Sequence, residues 1–233
     1  MAQGASPQES NRPPMATPSI AIIGGGFAGI CMGIQLKKAG IHSFVIHEKE
    51  ERMGGTWRDN SYPGAACDVP SMVYSFSFEP RYDWPHVYSE QPEIHRYLEK
   101  CIDKYGLRPH IRLKSEVAGA HFDETANLWR VKTKAGEEST ANIVVTSTGQ
   151  LNLPHTPAFP GLDTFAGTLF HSSRWNHGYD LAGKRVAVIG NGASAIQFIP
   201  HVARLAKDLL VLQRSPNWLI PHIPGNRAYC PWE

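Results

Sequence analysis

The sequence predicts a three-layer α/β fold made of two strand, glycine-turn and helix units, the second of them incomplete. Three observations carry that prediction. Glycine-rich turns of one design occur twice, Gly24-Gly25-Gly26-Phe27-Ala28-Gly29 and Gly190-Asn191-Gly192-Ala193-Ser194-Ala195. Each follows an apolar run of strand length, Ile20 to Ile23 or Val186 to Ile189, and precedes a helical pattern, Ala28 to Ala39 or Ala193 to Ala206. Each unit then enters a second apolar run that stops at a charged residue: Glu48 after Phe44 to His47, and Arg214 after Leu209 to Gln213. The two charges stand at the same offset from the first glycine of their turns.

The first two glycines of such a turn let the backbone bend tightly and approach a pyrophosphate, whose charge is favoured by free N–H groups at a helix start. The third position, Gly29 or the small Ala195, lets helix and strand pack closely. Two copies of this Rossmann-like pattern point to two dinucleotides and therefore to redox chemistry. The charges then differentiate the units. A carboxylate at Glu48 suits the two hydroxyls of an adenosine ribose, whereas the guanidinium of Arg214 suits a 2′-phosphate and hence NADP. Gly190, Gly192, Ala193, Ser194, Ala195, Gln213, Arg214 and Ser215 are the NADP candidates, with Ser215 adding a hydroxyl for the phosphate.

Between the units, Gln91 to Tyr105 reads as a helix with Pro92 in its first turn and Ile94, Leu98, Cys101, Ile102 and Tyr105 on one face. Ile111 to Val117, Gly119 to Phe122 and Trp129 to Thr133 read as short strands, with a turn at Asp123 to Asn127. Asn142 to Thr146 reads as a buried strand that stops at Ser147-Thr148-Gly149, small residues that admit a cofactor to the backbone. Tyr74, Phe76 and Phe78 alternate as on a strand. The organisation expected is a disordered lead-in over 1–18, a first dinucleotide domain over 19–150, a proline-rich linker over 151–183 and the start of a second domain over 184–233.

Composition narrows the function classes. Of 233 residues 42% are hydrophobic and 19% charged, and the formal net charge is +2, as in ordinary globular proteins. No basic block interleaves with aromatics, so nucleic-acid binding has no support. Cys31, Cys67, Cys101 and Cys230 lack both a C-x-x-C pair and zinc-like spacing. That pattern argues for free thiols in a reducing compartment, for no metal site, and against a disulfide reductase. The lead-in lacks the apolar stretch of a signal peptide, and the glycines within Ile20 to Leu36 mark strand, turn and helix rather than a membrane span. The expected compartment is the cytoplasm.

Two further segments carry a family resemblance. Gly54-Gly55-Thr56-Trp57, Tyr62-Pro63-Gly64 and Asp68 fit every fixed position of the long fingerprint of Baeyer–Villiger monooxygenases, G-G-x-W-x-x-x-x-[FY]-P-G-x-x-x-D. Phe165 to Asn176 resembles their short fingerprint, F-x-G-x-x-x-H-x-x-x-W followed by proline or aspartate, with Asn176 departing at the last position. Trp175 favours this branch over the sister flavin-containing monooxygenases that oxidise nitrogen and sulfur, which usually carry tyrosine and a basic residue there. The resemblance spans about Ser19 to Glu233.

It implies that NADPH reduces a bound FAD, that dioxygen then gives a peroxyflavin, and that one oxygen is inserted beside a ketone carbonyl to yield an ester or lactone. Gly24, Gly26, Gly29 and Glu48 would hold the ADP half of FAD, and Gly55, Thr56, Trp57, Asp68, Tyr74 and the Val117 backbone would complete the flavin site. Asp68 would lie near the flavin and position a catalytic arginine, for which this chain offers no candidate. Asp68 and His171 are thus the residues assigned to catalysis, with His171 and Trp175 coupling the two domains rather than transferring protons. Because family members are considerably longer, the chain is expected to be an amino-terminal part whose partner is the missing carboxy-terminal half. The alternatives are a nitrogen- or sulfur-oxidising monooxygenase and an inactive nucleotide-binding remnant.

Overall fold

The computed structural model describes residues 17–151, 153–218 and 226–229; most of the expected lead-in, and Cys230, lie outside them. The first strand, β1 (Ile20–Ile23), is apolar throughout because it is covered on both faces. Successive side chains of a strand point to opposite faces. Ile20 and Ile22 accordingly join the larger core with Ile30, Ile34, Phe44, Ile46, Leu98 and Ile102, while Ala21 joins Val131 and Ala141 on the other side. This alternation creates the three layers.

The middle layer is a parallel sheet. β1 is flanked by β2 (Phe44–His47), which is followed in turn by the two-residue β3 (Ile111–Arg112). One outer layer consists of α1 (Phe27–Lys38) and α3 (Gln91–Lys104). The other is an antiparallel sheet of β4 (Val117–Asp123), β5 (Leu128–Thr133) and β6 (Glu138–Ala141). β7 (Ile143–Thr146) returns to the parallel sheet beside β1, giving the order β3-β2-β1-β7. Fully burying a side chain such as Ile22, Ile34 or Leu98 contributes about 1.5–3 kcal/mol, so this apolar sandwich supplies most of the first unit's stability. The helix between β2 and α3, labelled α2 (Thr56–Asp59), is a single turn and lies in chain order between α1 and α3.

The second unit repeats the opening of the first. β8 (Arg185–Ile189) leads through the glycine turn to α4 (Ala193–Leu205) and to β9 (Asp208–Leu212), which pairs parallel with β8 from Arg185↔Asp208 to Ile189↔Leu212. Ala195, Phe198 and Val202 of α4 pack on Val188, and also on Tyr62 and Ala65 of the first unit.

Helices and principal strands fall within one or two residues of their predicted ends, but three readings are corrected. The run Ile111 to Val117 is not one strand: the chain breaks at Lys114, with φ 54°, before β4 begins at Val117. Tyr74, Phe76 and Phe78 are not on a strand either. The Phe76 N–H is bonded to the Tyr97 hydroxyl at 2.8 Å rather than to a neighbouring strand, and the rings form an aromatic cluster with Phe27. The strand at Ile143–Thr146 is not buried; it pairs with β1 alone among the described residues, and Ile143 is 43% exposed. β6, polar and exposed except at Ala141, was not foreseen.

Candidate functional site

The first glycine turn is shaped by close approach of backbone to backbone. Gly24 adopts φ 110°, and a Cβ there would lie 2.4 Å from the Ser147 carbonyl oxygen at the end of β7. A Cβ on Gly29 would lie 1.9 Å from the Gly24 carbonyl oxygen, so only glycine lets α1 rest on the turn. Gly26 caps α1 without a side-chain hydrogen bond to the helix start. Free N–H groups at a helix N-terminus favour an anion.

Glu48 closes one side of this turn. It is 3% exposed, and its Oε2 accepts the Gly25 N–H at 2.9 Å. Its Oε1 accepts the Glu50 N–H at 3.0 Å and lies 3.0 Å from Nη1 of Arg58. The Gly54-Gly55 step presses on the same turn: the Gly54 N–H donates to the Gly25 carbonyl at 2.8 Å, and a Cβ on Gly55 would meet the Gly26 Cα at 3.0 Å. Gly54 and Gly55 both have positive φ, which explains why two glycines stand there. Gly24, Gly25, Gly26, Glu48 and Gly55 therefore converge, and Thr56 begins α2 beside them.

Trp57 and Tyr74 form a pair. The Trp57 indole N–H donates to the Tyr74 hydroxyl at 3.0 Å, and the rings meet edge-on at 5.7 Å. Burial pushes the Tyr74 phenol up from its ordinary pKa, against the lowering effect of the Trp57 N–H. Asp68 is exposed on the loop after the buried Cys67, and its charge also acts to raise Tyr74 and Tyr62. Val117 opens β4 next to Ser115, whose N–H donates to the Glu48 carbonyl at 2.8 Å and whose hydroxyl pairs with His47 Nδ1 at 2.8 Å. That contact was not foreseen from sequence. Burial, and then the neighbouring Arg112, lowers the His47 pKa.

The second turn is more open. Gly190 has φ 103° with no atom within 4 Å of a Cβ, and Gly192 caps α4 without a side-chain bond. Ala195, at the third position, is buried against the β8 side, whereas Ala193 is exposed at the helix start. Asn191 Nδ2 donates to Gln213 Oε1 at 2.8 Å and to the Ser215 carbonyl at 3.1 Å, drawing the segment after β9 to the turn. Gln213, Arg214 and Ser215 are all exposed there.

The long fingerprint also touches α4. Gln197 Oε1 accepts the Tyr62 hydroxyl at 2.9 Å and the Ala66 N–H at 3.4 Å, while Nε2 donates to the Ala66 carbonyl at 2.8 Å. Ser194 also bonds Tyr62 through its side chain. No periodicity or motif in the sequence singles out Gln197. A cavity of about 860 Å³ opens beside this contact, lined by Tyr62, Gly64, Ala66, Cys67, Gln197 and His201 among others. From the short fingerprint, Trp175 packs on Phe198 at 5.2 Å and on Phe170 at 5.3 Å, in the cluster that contains Tyr62 and Ala65. His171 Nδ1 accepts the Ser173 N–H at 3.1 Å and caps a short 3-10 turn. Asn176 Oδ1 accepts the Gly178 N–H at 3.1 Å, a bond that the aspartate of the family pattern would also make.

The chain is similar to known proteins in sequence and in fold. The family described as pyridine nucleotide-disulphide oxidoreductase matches residues 21–223. A Baeyer-Villiger monooxygenase of Streptomyces coelicolor is 50% identical over 204 residues, which cover 88% of this chain and 39% of that protein. The closed crystal structure of cyclohexanone monooxygenase superposes with a TM-score of 0.86 at 39% identity, covering 92% of this chain and 41% of that one. OTEMO in complex with FAD and NADP gives a TM-score of 0.81 at 37% identity, covering 86% and 39%. The chain belongs to the pyridine nucleotide-disulphide oxidoreductase family, and within that family its likeness is to class B flavin monooxygenases of Baeyer–Villiger type. It spans about two fifths of the length of these relatives.

Proposed function

We propose that this protein is an FAD- and NADPH-dependent monooxygenase of Baeyer–Villiger type, which inserts one oxygen atom of O2 beside a ketone carbonyl to give an ester or lactone. The observation that carries this reading is the long fingerprint, Gly54 to Asp68, folded onto the first glycine turn at one end and gripped by Gln197 of α4 at the other. In this reading residues 19–150 hold FAD, residues 184–233 begin the NADP site, and residues 151–183 join them. Bound FAD, reduced by NADPH, would supply the chemistry that activates dioxygen.

The chain's own residues would bind and orient. Gly24, Gly26 and Gly29 bring the start of α1 to the pyrophosphate, and Glu48 takes the adenosine ribose. The Trp57–Tyr74 pair, with Thr56 and the Val117 backbone, walls the flavin, and Asp68 faces the reacting side to orient a cationic partner. Gly190, Gly192, Ala193 and Ser194 receive the second pyrophosphate, and Gln213, Arg214 and Ser215 receive its 2′-phosphate. His171 acts by capping its turn, and thereby setting Trp175 against α4. The setting is the cytoplasm, consistent with free thiols at Cys31, Cys67 and Cys101.

Incubating the FAD-loaded protein with NADPH and a cyclic ketone under labelled dioxygen tests the proposal. One labelled oxygen in the product ester is expected. Oxidation of a competing amine or sulfide with no ester formed would replace this reading with nitrogen or sulfur oxidation, and NADPH consumption yielding hydrogen peroxide alone would remove both.

A further inference from the structure

Beside the first glycine turn, opposite charges alternate from the protein interior to the 171–175 segment. The Arg58 side chain is 7% exposed and that of Glu48 only 4%, with Arg58 Nη1 at 3.0 Å from Glu48 Oε1. Arg58 Nε donates to Asp59 Oδ1 at 2.9 Å, and Nη1 also donates to the Arg52 carbonyl at 2.7 Å. Asp59 Oδ2 in turn lies 3.4 Å from Nη1 of Arg174, whose Nη2 lies 3.5 Å from Glu50. Burial costs Arg58 solvation, yet its pKa is raised, because two carboxylates, Asp59 and Glu48, favour its charged form.

We propose that Arg58 is the positioning residue of the adenosine-ribose site. It fixes Glu48 by one oxygen so that the other is presented to the ribose. The inference rests on the first unit holding FAD. A carboxylate oxygen has two lone-pair sites. On Oε1 both are taken, one by Arg58 and one by the Glu50 N–H. On Oε2 the Gly25 N–H is the one bond among the described residues, which leaves a strong acceptor site beside the glycine turn. Tilting or partly rotating the carboxylate would draw Oε1 away from Arg58, whereas a full half-turn only interchanges equivalent oxygens and restores the same contacts. Because Arg58 is itself held by Asp59 and the Arg52 carbonyl, it resists following such a tilt. Removing its charge would leave Glu48 in a buried setting with its cationic partner gone, a costly arrangement that favours reorganisation of the site.

The test compares FAD with its 2′-deoxyadenosine analogue, using quenching of flavin fluorescence to measure dissociation constants for the protein containing this chain. In the native protein, removing one hydroxyl that donates to a carboxylate is expected to weaken binding roughly tenfold or more. In Arg58→Met, FAD should bind at least tenfold more weakly and the preference for FAD over the deoxy analogue should fall below about twofold. Arg58→Lys restores the charge without the forked contacts, so it should recover part of that preference. If Arg58→Met does not fold, Arg58→Lys alone carries the comparison, with a reduced preference expected. An unchanged ratio of the two affinities in the folded variants, whether or not both weaken together, would overturn the role assigned to Arg58. Failure of the native protein to bind FAD at all would instead overturn the assignment of the first unit, which distinguishes the two claims.

Discussion

Glu48 and Arg214 occupy equivalent places in the two units, yet their surroundings differ. Glu48 is buried and held by two backbone N–H groups and Arg58, whereas Arg214 is exposed after β9, flanked by Gln213 and Ser215, which Asn191 secures. A pre-fixed carboxylate suits a cofactor that stays, and an exposed guanidinium suits one that arrives from solvent. Arg214→Ala should therefore lower kcat/KM for NADPH by roughly ten- to a hundredfold, the worth of charge-assisted contacts to a phosphate, while leaving that for NADH nearly unchanged. Steady-state kinetics with both coenzymes checks this. His47 gives a prediction about stability. Burial, followed by Arg112, holds its imidazole below the ordinary value of 6.5, so the fold favours the neutral ring. As pH falls through that value the unfolded chain takes up the proton first, stability declines, and the decline ends once the folded ring titrates as well. Denaturant midpoints measured from about pH 7 to about pH 5 should fall more steeply for the native protein than for His47→Asn.

At the scale of elements, the turn and helix of the first unit behave as one piece. Gly29→Ala would place a methyl group 1.9 Å from the Gly24 carbonyl oxygen; the methyl is fixed by the helix backbone and the oxygen is itself backbone, so neither can rotate aside. The helix must shift, so a loss of about 1–3 kcal/mol is expected in urea unfolding, together with weakened FAD binding. A second element is held by one hydroxyl: Tyr97 of α3 accepts the Phe76 N–H at 2.8 Å and donates to the Glu79 carbonyl at 2.8 Å. Tyr97→Phe would leave that buried N–H unpaired, with an expected cost of about 1–3 kcal/mol in the same measurement. These cases also explain what was legible in advance. The glycine units, β1, β2, α3 and α4 were readable because apolar periodicity and close backbone contact write themselves locally. The segment from Tyr74 to Phe78 was not, since its aromatic spacing imitates a strand while its backbone bond goes to a tyrosine distant in sequence. Arg58, Ser115 and Gln197 were equally invisible. Each acts through a partner brought near only by folding, and none stands in a pattern that spacing alone reveals.

At the scale of the whole molecule, the two units bury their apolar surface unequally. The parallel sheet of the first unit lies between two layers, whereas the described part of the second has two strands with α4 against them. Ile189 is 54% exposed, Leu210 57% and Leu212 46%, so β8 and β9 present branched aliphatic side chains to solvent. An exposed strand surface of this composition favours pairing with another chain, and charge placed on it opposes such pairing. The 233-residue chain prepared by itself should therefore bind a hydrophobic fluorescent dye and self-associate as its concentration rises. Leu210→Lys combined with Leu212→Lys should reduce both dye fluorescence and the light scattered at a given concentration. Because neither residue lies among those assigned to the first glycine turn, flavin binding should stay unchanged. Equal scattering by the native and doubly substituted chains would place the association elsewhere, with the open edge of β7 at Ile143 the next surface to charge.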